Sequence, residues 1–164
     1  MDPNQTGSAA CLRNYSCRTC DLGSSSHSST PRIEAGSAYT DNRVSSIVLE
    51  LPPGASGPSM HWHRFHDELF LVTKGSLVFM TPEGDTQVAA GELMTVPPRA
   101  VHTFRNASET ESAECYMTAT PGYYVDYFRM LAKTVEEGTK LTSTETRHLM
   151  SLFGTFPPNV ESEP

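Results

Sequence analysis

Two histidines separated by one residue, His61 and His63, have the type and spacing of metal ligands. Residues i and i+2 of a β-strand point to the same side, so both imidazoles would lie together on one face. Buried imidazoles cost free energy unless their ring nitrogens are bound, and a metal ion binds them directly. Glu68 adds the carboxylate that suits a divalent transition metal beside imidazoles. His102, in a later apolar stretch, is the fourth candidate ligand.

These four side chains allow two interpretations. In the first they bind one divalent transition metal, and the ligand types suit iron, manganese, nickel, copper or zinc without selecting among them. In the second they are polar groups of a metal-free core that satisfy one another. We predict the metal site.

His66 lies between the candidate ligands. A neutral imidazole titrates close to physiological pH, so His66 could move a proton at a substrate near the metal. We predict His66 and Glu68 as catalytic residues. The alternative for His66 is a surface histidine in the turn after the first ligand strand.

Cys17 and Cys20 form a CxxC pair whose role the sequence leaves open. A zinc site would need two more ligands, and only Cys11 and His27 lie nearby. A redox motif would need a βαβ context, which the Ser-rich stretch 21–30 does not supply. We favour a pair without a metal or redox role.

The composition argues against several functional classes. The 12 basic and 19 acidic residues give a formal net charge of −7, which disfavours nucleic acid as a partner. No stretch approaches the ~20 apolar residues of a membrane-spanning helix, and the start lacks the regions of a signal peptide. We expect one globular domain that is cytoplasmic and binds neither nucleic acid nor membrane.

The chain has 12 Pro and 11 Gly, which interrupt secondary structure and so favour short strands over long helices. The two apolar runs around Lys74-Gly75 are predicted to form a hairpin. The spacing of the predicted strands is typical of a β-sandwich or barrel. Those strands cover residues 44–51, 59–63, 67–73, 76–81, 86–90, 92–96, 100–106 and 112–119.

The pattern changes to a helical period after Pro121-Gly122. Tyr124, Phe128, Leu131 and Val135 mark one amphipathic helix, and residues 142–145 fit the capping box of a second. We therefore predict a polar, partly disordered segment 1–30, a β-barrel over 31–120, a helical appendage over 121–156 and a tail over 157–164. The appendage is expected to pack on the outside of the sheet or on a second subunit.

Two stretches resemble the paired motifs of the cupin superfamily. HWHRFHDELFLVTKG is similar to the first motif through His61, His63, Glu68 and Gly75. GELMTVPPRAVHTFRN is similar to the second through Gly91, Pro97, His102 and Asn106. Eight positions thus agree at fixed spacing. The chain departs from the pattern at two turn positions, Ala55 and Arg99, where the family has glycine.

The resemblance implies a fold and a metal site. The fold would be a single antiparallel β-barrel of the jelly-roll type, followed here by two α-helices. One metal would be bound by His61, His63, Glu68 and His102. The family's small members also imply a homodimer.

The resemblance to quercetin-dioxygenase-like cupins implies a metal-dependent oxygenase that acts on a small aromatic or enolic substrate, of the kind found in natural-product pathways. A non-redox isomerase, cyclase, dehydratase or decarboxylase would need the same ligands, and a ligand-binding protein without turnover is the third possibility. Phe70 and Phe104 share strand faces with ligands and are predicted to contact substrate. Further candidates are Phe79, Met94, Tyr116 and, for an anionic substrate, Arg99.

Overall fold

The computed structural model describes residues 32–35 and 40–160. Cys17, Cys20 and the predicted polar segment 1–30 lie outside these residues. The first five strands are β1 (Arg32–Ala35), β2 (Ser45–Leu51), β3 (Trp62–His63), β4 (Asp67–Lys74) and β5 (Ser76–Thr81). They are followed by β6 (Gly84–Ala89), β7 (Leu93–Val96), β8 (Thr103–Asn106) and β9 (Ala113–Thr120). The chain then forms α1 (Val125–Glu136), α2 (Ser143–Leu152) and β10 (Thr155–Phe156).

Eight of the ten described strands form two antiparallel layers that face each other, and β3 and β10 form a separate two-stranded sheet. The larger sheet has the order β1-β2-β9-β4-β7, and the smaller has the order β6-β5-β8. Between the layers, the ring of Phe70 on β4 lies 5.1 Å from that of Phe79 on β5 and 5.4 Å from that of Phe104 on β8. The predicted mainly-β jelly-roll fold is confirmed, although separate sheets around an aromatic core take the place of one closed sheet.

The strand predicted over 59–63 is shorter in the structure. Only Trp62 and His63 form β3, which pairs with β10 at the other end of the chain. His61 makes an isolated antiparallel bridge to His102 instead. This bridge continues the β10-β3 ribbon toward β8, so the two motif segments meet directly.

The predicted hairpin around Lys74-Gly75 is wrong. β4 pairs with β9 and β7, whereas β5 pairs with β6 and β8, so the chain changes layer at Gly75. Gly75 has a φ of 68°, and a Cβ atom there would lie 3.1 Å from the carbonyl oxygen of Ser112. Two strands joined by a hairpin and two strands in different layers both turn every second side chain toward the same core. Their sequence patterns are therefore alike.

Both predicted helices are present. Gly138, with a φ of 66°, follows the end of α1. At the start of α2, the Thr142 hydroxyl accepts a hydrogen bond from the Glu145 N–H, and the Glu145 carboxylate accepts one from the Thr142 N–H. Within the described ranges, neither helix is long and apolar enough to cross a bilayer.

The helices belong to the core rather than to the outer face of a sheet. Tyr124, Val125, Tyr127 and Leu149 are buried and join the hydrophobic cluster between the layers. The chain after α2 then returns to the barrel as β10. Both helices therefore close one side of the space that the sheets enclose.

Asn106 ties the end of β2 to the loop before β9. Its Nδ2 donates to the carbonyl oxygens of Leu51 and Pro52, both at 3.0 Å, and of Glu111 at 2.8 Å. Its Oδ1 accepts from the Ser108 N–H at 2.9 Å. The side chain is 1% exposed, so water cannot replace these bonds.

We expect Asn106→Ala to lower the free energy of unfolding by about 3 kcal/mol, because several buried backbone groups lose their partner. Urea unfolding measures the loss. Gln87→Ala, which removes an exposed hydrogen bond to Ser76, is the control and should cost about 0.5 kcal/mol or less. A loss below about 1 kcal/mol for Asn106→Ala would show that the loops hold without it.

Candidate metal centre

Three buried imidazoles converge inside the barrel. His63 lies on β3, and His61 directly precedes that strand. His102 directly precedes β8. One ring nitrogen of each lies within 4.8 Å of the others. The side chains are 3%, 0% and 2% exposed, so the cluster is closed to bulk water except through the cavity described below.

Each imidazole is fixed through its Nδ1 atom. Nδ1 of His61 lies 2.8 Å from the Ser59 carbonyl oxygen, and Nδ1 of His102 lies 3.0 Å from the Ala100 carbonyl oxygen. A carbonyl oxygen only accepts, so both Nδ1 atoms donate and both Nε2 atoms keep a free lone pair. Nδ1 of His63 lies 2.8 Å from the Thr155 hydroxyl.

Glu68 completes the cluster from β4. Its Oε2 atom lies 3.2 Å from Nε2 of His63 and 3.3 Å from Nε2 of His102. Burial of the carboxyl opposes its ionisation, but the neighbouring His63 and His102 outweigh that effect and hold the pKa of Glu68 well below its usual range. The group is therefore an anion at neutral pH.

This donor set fits a divalent transition metal. Nε2 of His63 and of His102 are buried and face the Glu68 carboxylate at 3.2 and 3.3 Å, yet neither makes a well-aligned hydrogen bond there. Buried nitrogens left in this state are costly unless something binds them. Three imidazole nitrogens and one carboxylate suit iron, manganese, nickel, copper or zinc. The hydrogen bonds at Nδ1 orient the rings as metal-binding histidines require.

A cavity of about 320 Å³ opens beside the cluster. His61 and Glu68 contribute to its wall, which is otherwise mostly apolar. Among the described residues, its only other charged lining residue is Glu50, and no lysine or arginine lines it. The remaining lining residues are Leu49, Leu51, Ser56, Gly57, Pro58, Phe70, Phe104, Met117, Tyr124, Tyr127, Phe128, Leu131, Thr146 and Met150.

Two of the predicted substrate contacts, Phe70 and Phe104, line this cavity. Phe79 does not, because its ring lies in the core against both of them. Tyr116 also lies elsewhere: β9 alternates, and its neighbour Met117 is the residue that faces the cavity.

Met94 and Arg99 are likewise absent from the cavity wall. Met94 is half-buried on β7. Arg99 is exposed, and its φ of 69° lies in the left-handed region that favours glycine, the residue that the motif has at this position. Its backbone N–H donates to the His63 carbonyl oxygen, which fixes the turn at this position.

His66 is fully buried, and neither ring nitrogen has a hydrogen-bond partner. The alternative interpretation of His66 as a surface residue is therefore wrong. Its ring centroid lies 4.3 Å from that of Tyr124 and 5.1 Å from that of His63, but it does not line the cavity. Burial lowers the pKa of His66 to about 4, so the ring is neutral at neutral pH.

The helical wall of the cavity is not predicted from the sequence. Tyr124, Tyr127, Phe128 and Leu131 come from α1 and the turn before it, and Met150 comes from α2. The amphipathic period predicts an apolar face but not what the face covers. The many aromatic residues on that face were the feature of the sequence that could have indicated a ligand cavity.

Fold and site define a jelly-roll barrel with an internal histidine cluster, and a known family has these features. Residues 47–119 match the family model described as cupin domain. Over this segment the chain is similar to the cupin family. The matching segment contains all four candidate ligands but neither helix nor β10.

A curated relative is an enzyme. Over 105 residues the chain is 27% identical to quercetin 2,3-dioxygenase of Bacillus subtilis (strain 168). The match covers 64% of this chain but only 30% of that enzyme, so the chain spans less than a third of the relative's length.

Two similar solved structures support the fold. One is an uncharacterized conserved protein with a double-stranded β-helix domain from Klebsiella pneumoniae, with a TM-score of 0.50, 19% identity, and coverage of 60% of this chain and 83% of that chain. The other is a predicted oxalate decarboxylase from Thermotoga maritima, with a TM-score of 0.50, 19% identity, and coverage of 56% and 80%.

The metal-free protein should lose stability as the pH falls from 6.5 toward 4. The pKa values of His61 and His66 are lowered from 6.5 to about 4, chiefly by burial, so the unfolded chain binds more protons in this interval. At pH 5 each histidine should cost about 2 kcal/mol relative to pH 7.5. Urea unfolding of the metal-stripped protein measures this loss.

His66→Gln removes one of the two titrations and should lose about half as much stability between these pH values. Its stability at pH 7.5 serves as its own reference, so any general effect of the substitution cancels. Equal losses in His66→Gln and the unsubstituted protein would contradict the assignment.

Proposed function

We propose that the protein is a metal-dependent cupin enzyme that oxygenates a small aromatic or enolic substrate. The observation that carries the proposal is the position of the cluster: His61 and Glu68 stand in the wall of an apolar, aromatic cavity. The site thus combines a set of metal ligands with space for a flat organic molecule.

His61, His63, His102 and Glu68 would hold one divalent transition metal. Such a metal supplies Lewis acidity that lowers the pKa of a coordinated enol or phenol. The protein contributes the orientation of the three rings through their Nδ1 atoms and an anionic carboxylate that needs no deprotonation at neutral pH.

The shape and charge of the cavity favour one class of ligand. Phe70, Phe104, Tyr124 and Phe128 offer aromatic faces to a flat ligand and exclude water from the cluster. No cationic side chain is available within the described wall, so phosphorylated or multiply anionic substrates would have no partner. A largely apolar ligand with one chelating enol or phenol group fits best.

The similarity to quercetin 2,3-dioxygenase supports oxygenase chemistry over the other reactions that this ligand set permits. A non-redox isomerase, cyclase, dehydratase or decarboxylase would use the same four ligands. Oxygen consumption separates these reactions from oxygenation.

Removal of one ligand should strongly reduce metal binding. We expect His61→Ala and His102→Ala to bind at least tenfold less metal than the unsubstituted protein, because each loses one donor from a four-donor site. Elemental analysis after purification without chelator or affinity metal measures this. His148→Ala is the matched control, since His148 is exposed on α2 and should leave the metal content unchanged. Equal metal content in all three variants would refute the site.

Quercetin is a suitable probe of the substrate class. The metal-loaded protein should bind it with a shift of its absorption band, and Phe128→Ala should bind about tenfold more weakly because apolar contact area is lost. Tyr116→Ala is the control, since Tyr116 lies outside the cavity. Glucose 6-phosphate should not compete.

An oxygen electrode then tests the reaction. Consumption of quercetin with oxygen uptake supports the oxygenase. Conversion of an enolic substrate at the same rate without oxygen would replace it with the non-redox alternative.

A further inference from the structure

The short strand β10 returns to the barrel after both helices and pairs with β3, placing Thr155 opposite His63 and Phe156 opposite Trp62. The residues of β3 precede it by more than ninety positions, and the segment that matches the cupin model ends at residue 119. The C-terminal segment 154–157 therefore contacts the candidate metal centre from outside the segment that matches the family model.

Several contacts fix this segment in place. The Arg64 N–H donates to the Gly154 carbonyl oxygen at 2.8 Å, and the indole of Trp62 donates to the Pro157 carbonyl oxygen at 3.2 Å. The Phe156 ring packs 5.1 Å from the Trp62 ring. Gly154, directly before β10, has a φ of 68°. A Cβ atom there would lie 2.8 Å from the Phe65 ring, so this position requires glycine.

Thr155 is the polar contact that the segment makes with a ligand. Its hydroxyl lies 2.8 Å from Nδ1 of His63, and the side chain is 1% exposed. The carbonyl partners of His61 and His102 can only accept, whereas a hydroxyl can donate or accept. A metal bound at Nε2 of His63 requires a proton on Nδ1, and only an accepting partner holds that proton in place.

We propose that Thr155 is a positioning residue of the metal centre, which holds the His63 ring with Nε2 free for the metal. The inference rests on the proposed metal site. It adds that the C-terminal segment is part of that site rather than a tail of the barrel. The Thr155 hydroxyl acts through His63 and does not contact the substrate.

Thr155→Val tests the proposal because it keeps the branched shape and removes the hydroxyl. Zinc affinity, measured by competition with a chromophoric chelator at pH 7.5, should fall 10- to 100-fold. Thr155→Ser restores the hydroxyl and should recover the affinity to within about threefold. Thr118→Val is the matched control, since it removes another interstrand hydroxyl contact, to Ser46, on a residue that does not line the cavity.

A measurement without metal separates this inference from the proposed function. In the ¹⁵N spectrum of the metal-stripped protein, the His63 Nδ1 resonance should move in Thr155→Val and return in Thr155→Ser. The fluorescence of Trp62, the single tryptophan, reports whether the segment still packs on β3.

The outcomes are distinct. Unchanged zinc affinity and an unchanged His63 resonance in Thr155→Val would overturn the positioning role and leave the metal site intact. An equal loss of affinity in Thr155→Ser would also overturn it, since shape would then be the cause. Failure of the unsubstituted protein to bind zinc or iron would overturn the proposed function, while a resonance that responds to the hydroxyl would still support the contact with His63.

Discussion

The structure depends on keeping three imidazoles and a carboxylate inside an apolar barrel with their metal-binding atoms pointing to one place. Burial of such groups is unfavourable unless each polar atom has a partner. The backbone satisfies one side of two rings, through the Ser59 and Ala100 carbonyl oxygens, and a side chain satisfies the third. On the other side, Nε2 of His63 and of His102 face the Glu68 carboxylate without a well-aligned hydrogen bond, so the cluster is incompletely satisfied as a purely structural feature. The same incompleteness is what a metal-binding function requires.

The fold explains how residues far apart in the chain meet so closely. The bridge between His61 and His102 joins the two motif segments directly, and Glu68 enters from the opposite layer on β4. Behind the cluster, the packed rings of Phe70, Phe79 and Phe104 hold the layers apart and keep water out. The polar cluster is thus rigid because the apolar core around it is well packed.

Local patterns in the sequence were sufficient for the fold class, the helices and the convergence of His61, His63 and His102, because alternation, capping residues and motif spacing are all short-range signals. They failed where the outcome depends on long-range pairing. The corner at Gly75 looks like a hairpin, and the inward register of β9 selects Met117 over Tyr116. Thr155 carries no local signal, since its importance arises only when β10 reaches His63 across 92 residues. The helical wall is an intermediate case. The sequence period predicts the apolar face of α1, but it does not predict that this face lines the cavity.

The charge of the cavity follows from the same ligand set. Three neutral imidazoles and one carboxylate around a divalent ion would leave one net positive charge at the wall of the cavity, so a single deprotonated enol or phenol would neutralise it. A second anionic group on the ligand would need a cation, and the described wall has none. Glu50, the remaining charged lining residue, would repel such a group. Because the cationic charge is confined to the metal position, the aromatic side chains can line the rest of the cavity without burying an unpaired charge. The apolar wall and the internal ligand set are therefore consistent with one class of substrate, a flat molecule with one chelating group.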